Sequence, residues 1–223
     1  MVDKLAIGVA FSCVSVLGLI GVFGLVGSSS ANAQSVPGCG RLENAYGPYD
    51  YTNPDDFKNK LPIVESHHFQ PEVERLEIDE RGRPPGGGLQ YTLRAFPNHH
   101  RALQAIARLE LLTKQSPVER SPYTAECWFR RAIAFKPDDG VVRMLFGVFL
   151  QKKGKLDEAL EQYKVAEGLL GDNPDLSYNL GLLYYARKQY QLAYEYASKA
   201  YDAGFPLPGL KQMLRESGHW KDE

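Results

Sequence analysis

The chain has 223 residues, 43% of them hydrophobic and 24% charged, and its 26 basic side chains against 27 acidic ones leave a formal net charge of -1. These figures fit one packed domain with an appendage. They supply no basic excess to attract a phosphate backbone, so no nucleic-acid partner is expected.

Residues 1–33 read as a targeting segment rather than as fold. Lys4 opens an apolar run from Leu5 to Val26, and Ser28-Ser29-Ser30 leads into Ala31-Asn32-Ala33, an exit at which a signal peptidase would cut before Gln34. The competing reading keeps the segment as an inner-membrane anchor, because a run of this length can span a bilayer. Both readings carry the rest of the chain across the membrane. The expected location is therefore periplasmic or exported, or else anchored in the inner membrane and facing the periplasm. A lipid anchor on Cys39 is a third reading, opposed by Pro37-Gly38 before it and by its distance from the apolar run.

Residues 34–88 read as an irregular arm. The stretch from Tyr46 to Pro54 is turn-rich and aromatic, and Asn53-Pro54-Asp55-Asp56 has the cap and first-turn acids of a short helix ending before Pro62. Leu61 to Glu65 reads as a brief extended piece, Glu72 to Ile78 as about two helical turns, and Arg81 to Gly88 as a hinge loop. The glycines of that loop lack the Gly-Lys-Ser or Gly-Lys-Thr of a phosphate cradle. Tyr46, Tyr49, Tyr51, Phe57 and Phe69 are too many apolar rings for a disordered tail. The arm is expected to pack on the helical region C-terminal to it, as an N-terminal cap or lying in a groove.

Residues 89–216 read as paired helices, followed by a tail at 217–223. Leu89 to Pro97 reads as a closing half-hairpin, with Thr92 where alanine would be usual. The next helix is expected to begin near Pro97, followed by a long link from about Lys114 to Thr124 and a second helix through Ala125, Phe129 and Ala132 to Pro137. Two further hairpins come next, the last opened by Asn173-Pro174-Asp175 as cap, first-turn proline and acid. Lys152-Lys153-Gly154 supplies cations and a left-handed stop, whereas the equivalent place downstream holds Lys188. Leu207 to Glu216, after Pro206 and Pro208, suits a short amphipathic cover for the last hairpin.

The spacing within this region is regular. Gly147, Ala159 and Ala166 recur as Gly181, Ala193 and Ala200, each displaced by 34 positions. The offset also relates Phe146 to Leu180, Leu150 to Tyr184 and Glu161 to Glu195. Ala125, Phe129 and Ala132 lie 34 before Ala159, Tyr163 and Ala166. A constant offset over small, apolar and charged positions marks stacked helix hairpins, which nest where one helix offers only a hydrogen or a methyl group.

At Phe146-Gly147, Leu180-Gly181 and the alanine pairs, the chain resembles the tetratricopeptide repeat family, and its arm resembles the leading segment of exported bacterial repeat proteins. The resemblance implies an all-α fold: an α-solenoid of about three tetratricopeptide-like hairpins behind an irregular N-terminal arm. It implies a protein-binding scaffold or assembly factor in the bacterial cell envelope, not an enzyme. In that family the first helices line a concave groove. Carried onto this sequence, the lining is Asn98, Arg101, Ala105 and Arg108 from the first hairpin, Met144, Val148, Gln151 and Lys152 from the second, and Tyr178, Leu182 and Tyr185 from the third. One end is basic and the other aromatic, which would suit an extended peptide carrying acidic and apolar side chains. The competing reading leaves these positions solvated or filled by the arm. Ala105, Val148 and Leu182 stand where the carboxylate-clamp members of the family need asparagine, so recognition of a chain-terminal carboxylate is not implied. A second functional reading is a periplasmic glycan-binding module, with Tyr178, Tyr185 and Tyr46 as stacking platforms.

Beyond Cys13, only Cys39 and Cys127 remain, an even pair. Cys127 takes the place that Glu161 and Glu195 hold in the later copies, pointing away from the partner helix. A Cys39–Cys127 disulfide would clip the arm onto the outer side of the first hairpin, and two free thiols are the alternative. His67-His68 and His99-His100 with Glu65 or Glu72 hold metal-ligating groups. Sequence neighbours diverge around a helix, however, so no metal or other cofactor is expected. No nucleophile elbow, His-Glu-x-x-His or cysteine with a plausible base is present to support catalysis.

Overall fold

The structure is a computed structural model that describes residues 35–220. The readings placed on the leader, on Cys13, on Gln34 and on the last three residues lie outside the described residues.

The arm begins with a two-stranded antiparallel ribbon, β1 (Ser35–Val36) and β2 (Gly40–Arg41). Three short helices follow: α1 (Pro54–Asn59), α2 (Leu61–His68) and α3 (Pro71–Arg75). Asn53 caps α1 by accepting from the Asp55 and Asp56 amides. Residues 61–65, expected to be extended, are helical. Pro62 falls in the first turn, where its missing N–H is not needed, and Leu61 and Val64 share the buried face. Expected to run to Ile78, α3 stops at Leu76, which turns left-handed with φ 68°.

The expected hinge is in part a helix, α4 (Gly86–Ala95). Its opening glycines are set by close approach rather than by flexibility. A Cβ on Gly86 would lie 2.1 Å from the Glu119 carbonyl oxygen, and one on Gly88 would lie 2.4 Å from that of His68.

Six helices then form three hairpins: α5 (His100–Thr113) with α6 (Ala125–Phe135), α7 (Gly140–Lys152) with α8 (Leu156–Leu170), and α9 (Pro174–Ala186) with α10 (Tyr190–Asp202). The first helices α5, α7 and α9 stack on one another, and α11 (Gly209–Glu216) closes against α9 and α10 through Leu210 and Leu214. One core runs through the array, from Leu93 and Leu103 through Phe129 and Phe146 to Leu180 and Leu214. The turns Gly154 and Lys188 are both left-handed, at φ 78° and 59°, so lysine adopts the conformation that glycine has one repeat earlier.

Contrary to the expected start near Pro97, α5 begins at His100. Pro97 and Asn98 are buried ahead of the helix, and the His99 ring caps it, its Nδ1 accepting from the Ala102 amide at 3.1 Å. The long link between α5 and α6 is held down by two buried polar groups. Glu110 accepts from the Ala125 amide at 2.7 Å, capping α6 from the neighbouring helix, and Trp128 Nε1 donates to Ser121 Oγ at 3.0 Å.

The arm covers the N-terminal end of the array. Tyr46, Tyr49, Tyr51 and Tyr91 pack against Leu61, Val64, Ala95 and Phe96. On the outer side, Cys39 and Cys127 are bonded, with their Cα atoms 5.3 Å apart. Beside them the Arg131 guanidinium, 2% exposed, donates to the carbonyl oxygens of Cys39 and Arg41 and lies against the rings of Tyr123 and Trp128. Burial pushes its pKa down from the usual arginine value.

Candidate functional site, a groove along the first helices

Three stacked first helices leave a groove between their exposed flanks, a cavity of about 240 Å³. Its floor is apolar, made by Leu111 of α5 and by Met144, Val148 and Phe149 of α7. Arg108 and Lys152 border it from α5 and α7, and Asp175 and Asn179 from α9. Both cations are exposed, and among the described residues neither forms an ion pair. An apolar floor beneath two unpaired cations favours an occupant with apolar and acidic side chains.

Of the groove residues expected from the sequence, Arg108, Met144, Val148 and Lys152 come together here. The others do not, for identifiable reasons. Asn98 is fully buried; it donates to Asp50 at 2.8 Å and to Asp139 at 3.0 Å, and accepts from the Tyr51 amide at 2.9 Å. Ala105 is buried in the stack. Gln151 turns into its own hairpin and accepts from the Tyr163 hydroxyl at 2.9 Å.

Arg101 is engaged by the arm. Its Nε donates to Glu74 at 2.7 Å, its Nη1 to Glu65 at 3.2 Å, and the guanidinium lies 5.2 Å from the centre of the Phe69 ring. The bond from Arg101 holds the Glu74 carboxyl below its usual value. The basic end of the expected groove is therefore half occupied by the protein's own acids.

The aromatic end is closed by the C-terminal segment. Tyr178 stacks on Phe205 with ring centres 4.1 Å apart, Tyr185 meets Tyr190, and Leu182 is half-buried against the core. Those positions of α9 face the side on which α11 packs, whereas Asp175 and Asn179 face the groove. Tyr46, the third ring of the glycan reading, packs edge-on against Tyr49 in the arm.

Sequence reasoning missed Gln104, Leu111, Asp175 and Asn179. Gln104 and Leu111 sit one turn either side of Arg108, so a stripe read from Arg108 rather than from Asn98 would have found them. Of the paired histidines, His99 and His100 are held in the packing between arm and array, and His68 stacks on Tyr91. His99 Nε2 lies 3.1 Å from Glu65, and His100 Nε2 lies 2.9 Å from Asp139, which also caps α7 through the Val141 and Val142 amides. Among the described residues no group of three or more His, Cys, Asp or Glu side chains is placed to hold a metal ion.

Stacked hairpins with a 34-residue offset and a groove on the first-helix side define an α-solenoid scaffold. Residues 150–188 match the family model described as TPR repeat, so this stretch of the array carries the tetratricopeptide-repeat pattern. Over 58 residues it is 38% identical to intraflagellar transport protein 70A of Danio rerio, a match covering 26% of this chain and 9% of that protein. The chain thus spans less than a tenth of that relative's length. Repeats of this family generally mediate protein–protein interaction, and its members are typically scaffolds without enzymatic activity.

Proposed function

We propose that the chain is a protein-binding scaffold or assembly factor whose α5–α7–α9 groove docks a partner segment bearing apolar and acidic side chains. The observation that carries this reading is the pair Arg108 and Lys152, exposed cations without an ion-pair partner among the described residues, beside the Met144 and Val148 floor. Stacked repeat hairpins leave long exposed flanks, which suit docking.

We place this scaffold in the bacterial cell envelope. The apolar run from Leu5 to Val26 with its Ala31-Asn32-Ala33 exit supports export, and a bonded Cys39–Cys127 pair suits an oxidising compartment.

The test is retention of a purified acidic, leucine-containing peptide on immobilised protein. Arg108→Glu with Lys152→Glu is expected to weaken retention at least tenfold while leaving the melting temperature unchanged. Equal retention by wild type and variant removes the groove reading. Fractionation of cells expressing the full chain tests the compartment, and recovery in the cytoplasm refutes it.

A further inference from the structure

The outer flank of α10 carries a second surface, defined by the register of the array itself. In each hairpin the second helix turns one set of positions toward the second helix of the next. On α6 these are Glu126, whose carboxylate meets Lys155 at 3.2 Å, together with Arg130 and Ile133, which line the seam with α8. On α8, Lys164 and Glu167 both bond the hydroxyl of Tyr196 on α10, at 2.9 and 2.8 Å.

The same positions on α10, advanced by the 34-residue offset, are Tyr194, Ser198 and Tyr201. They line an open cleft of about 900 Å³. The next first helix is present, because Pro208, Leu210 and Leu214 of the α11 segment lie 34 beyond Pro174, Leu176 and Leu180, and both leucines are buried like their counterparts. Among the described residues no second helix follows α11. Trp220 instead reaches back to α10, edge-on to Tyr194 and Tyr201 at 5.2 and 5.9 Å. Arg215 stands where Gly181 stood, so a helix in this cleft rests on α10 and Trp220 rather than nesting closely on α11.

Charge narrows the occupant. Lys199 is paired with Asp172 at 2.7 Å, and Lys211 lies over the Trp220 ring at 4.7 Å. Glu195 and Asp202, two turns apart on one face of α10, are exposed and have no cationic partner among the described residues. The outer second helices of a second copy, α8 with Asp157, Glu158, Glu161 and Glu167 against Lys164, or α10 itself, would bring like charges to this face.

We propose that this cleft docks one amphipathic helix of a partner protein, packed where the next second helix would stack. Its basic side chains, two turns apart, face Glu195 and Asp202, and its apolar face lies on Tyr201 and Trp220.

The test uses the full chain and a synthetic capped helical peptide with leucines at four-residue spacing and lysines two turns apart. The expected result is saturable binding that shifts Trp220 emission and is absent from Trp220→Phe spectra. Affinity should fall about tenfold in Glu195→Lys with Asp202→Lys, and should return when the peptide carries glutamates in place of lysines. Binding should persist in the Arg108→Glu, Lys152→Glu variant, which separates this cleft from the groove. Absence of saturable binding, insensitivity to the charge reversal, or loss of binding in the groove variant overturns the proposal. So does a protein that self-associates through this face, shown by sedimentation of a dimer that Ser198→Arg abolishes.

Discussion

Gly147 and Tyr163 are packed so closely that a Cβ on the glycine would stand 2.5 Å from the tyrosine ring. Tyr163 is fully buried in α8, and its hydroxyl reaches across to Gln151 of α7, so the ring is wedged between the two helices of its hairpin. One repeat later the counterparts are Gly181 and Ala197, and the nearest obstacle to a Cβ on Gly181 is Leu210 of α11, also at 2.5 Å. The same glycine position thus serves different neighbours. A ring held at both ends yields less readily than the end of a leucine side chain. Gly147→Ala is expected to cost about 1 to 3 kcal/mol despite the helix-propensity gain of alanine, and Gly181→Ala less than half of that. Urea unfolding of both variants checks the order, and equal or reversed costs refute it.

The Cys39–Cys127 bond joins residues 88 apart in sequence. In the chain-entropy account a loop of that length contributes about 4 to 5 kcal/mol. Reduction, or Cys127→Ser, is expected to lower the unfolding free energy by that order and to free the ribbon from α6. Thiol titration of the denatured, unreduced full chain is expected to find Cys13 alone. Three reactive thiols would show that the pair is not bonded.

Burial holds the His99 imidazole below its usual 6.5, against the opposing pull of Glu65. The unfolded chain accepts a proton as pH falls through about 6.5 while the folded ring does not. Stability is therefore full above about pH 6.5 and declines toward the lower folded pKa, by at most about 1.4 kcal/mol per pH unit for this group. His68, also pushed down by burial and by His67, adds in the same direction. Denaturant midpoints across this range are expected to fall, and His99→Gln is expected to flatten the slope. An unchanged slope in that variant removes the assignment.

Asn98 and Arg101 both connect the arm to the array, and burial separates their worth. Asn98 is fully buried and makes three side-chain bonds that join the arm, the start of α5 and the cap of α7. Asn98→Ala leaves Asp139 and the Tyr51 amide short of partners and is expected to cost about 2 to 3 kcal/mol. The Arg101 side chain is 47% exposed. Arg101→Ala is expected to cost under about 1 kcal/mol by the loss of its ion pairs. Matching melting temperatures for the two variants would contradict this ranking.

The helical hairpins were legible because their cause is local and periodic. Small residues recurring every 34 positions, with Asn173 and Pro174 as punctuation, specify hairpins wherever such a unit stacks on its copy. The arm was read less well because its local preferences are weak. Residues 61–65 become helical and Gly86 to Gly88 open α4 only because Ala95, Phe96, the His68 carbonyl and the Glu119 carbonyl lie against them, contacts that no local pattern announces.

The groove divides in the same way. The repeat register carried onto the sequence placed Arg108, Met144, Val148 and Lys152 on a flank free of core, but placed Asn98 and Ala105 there as well, and both are buried. Tertiary structure decided which free faces stay open. Whether a flank is covered depends on distant segments, and here Glu65 and Glu74 reach Arg101 while Phe205 covers Tyr178. Helical periodicity reports direction about a single axis, whereas coverage is settled by the packing free energy of chain remote in sequence.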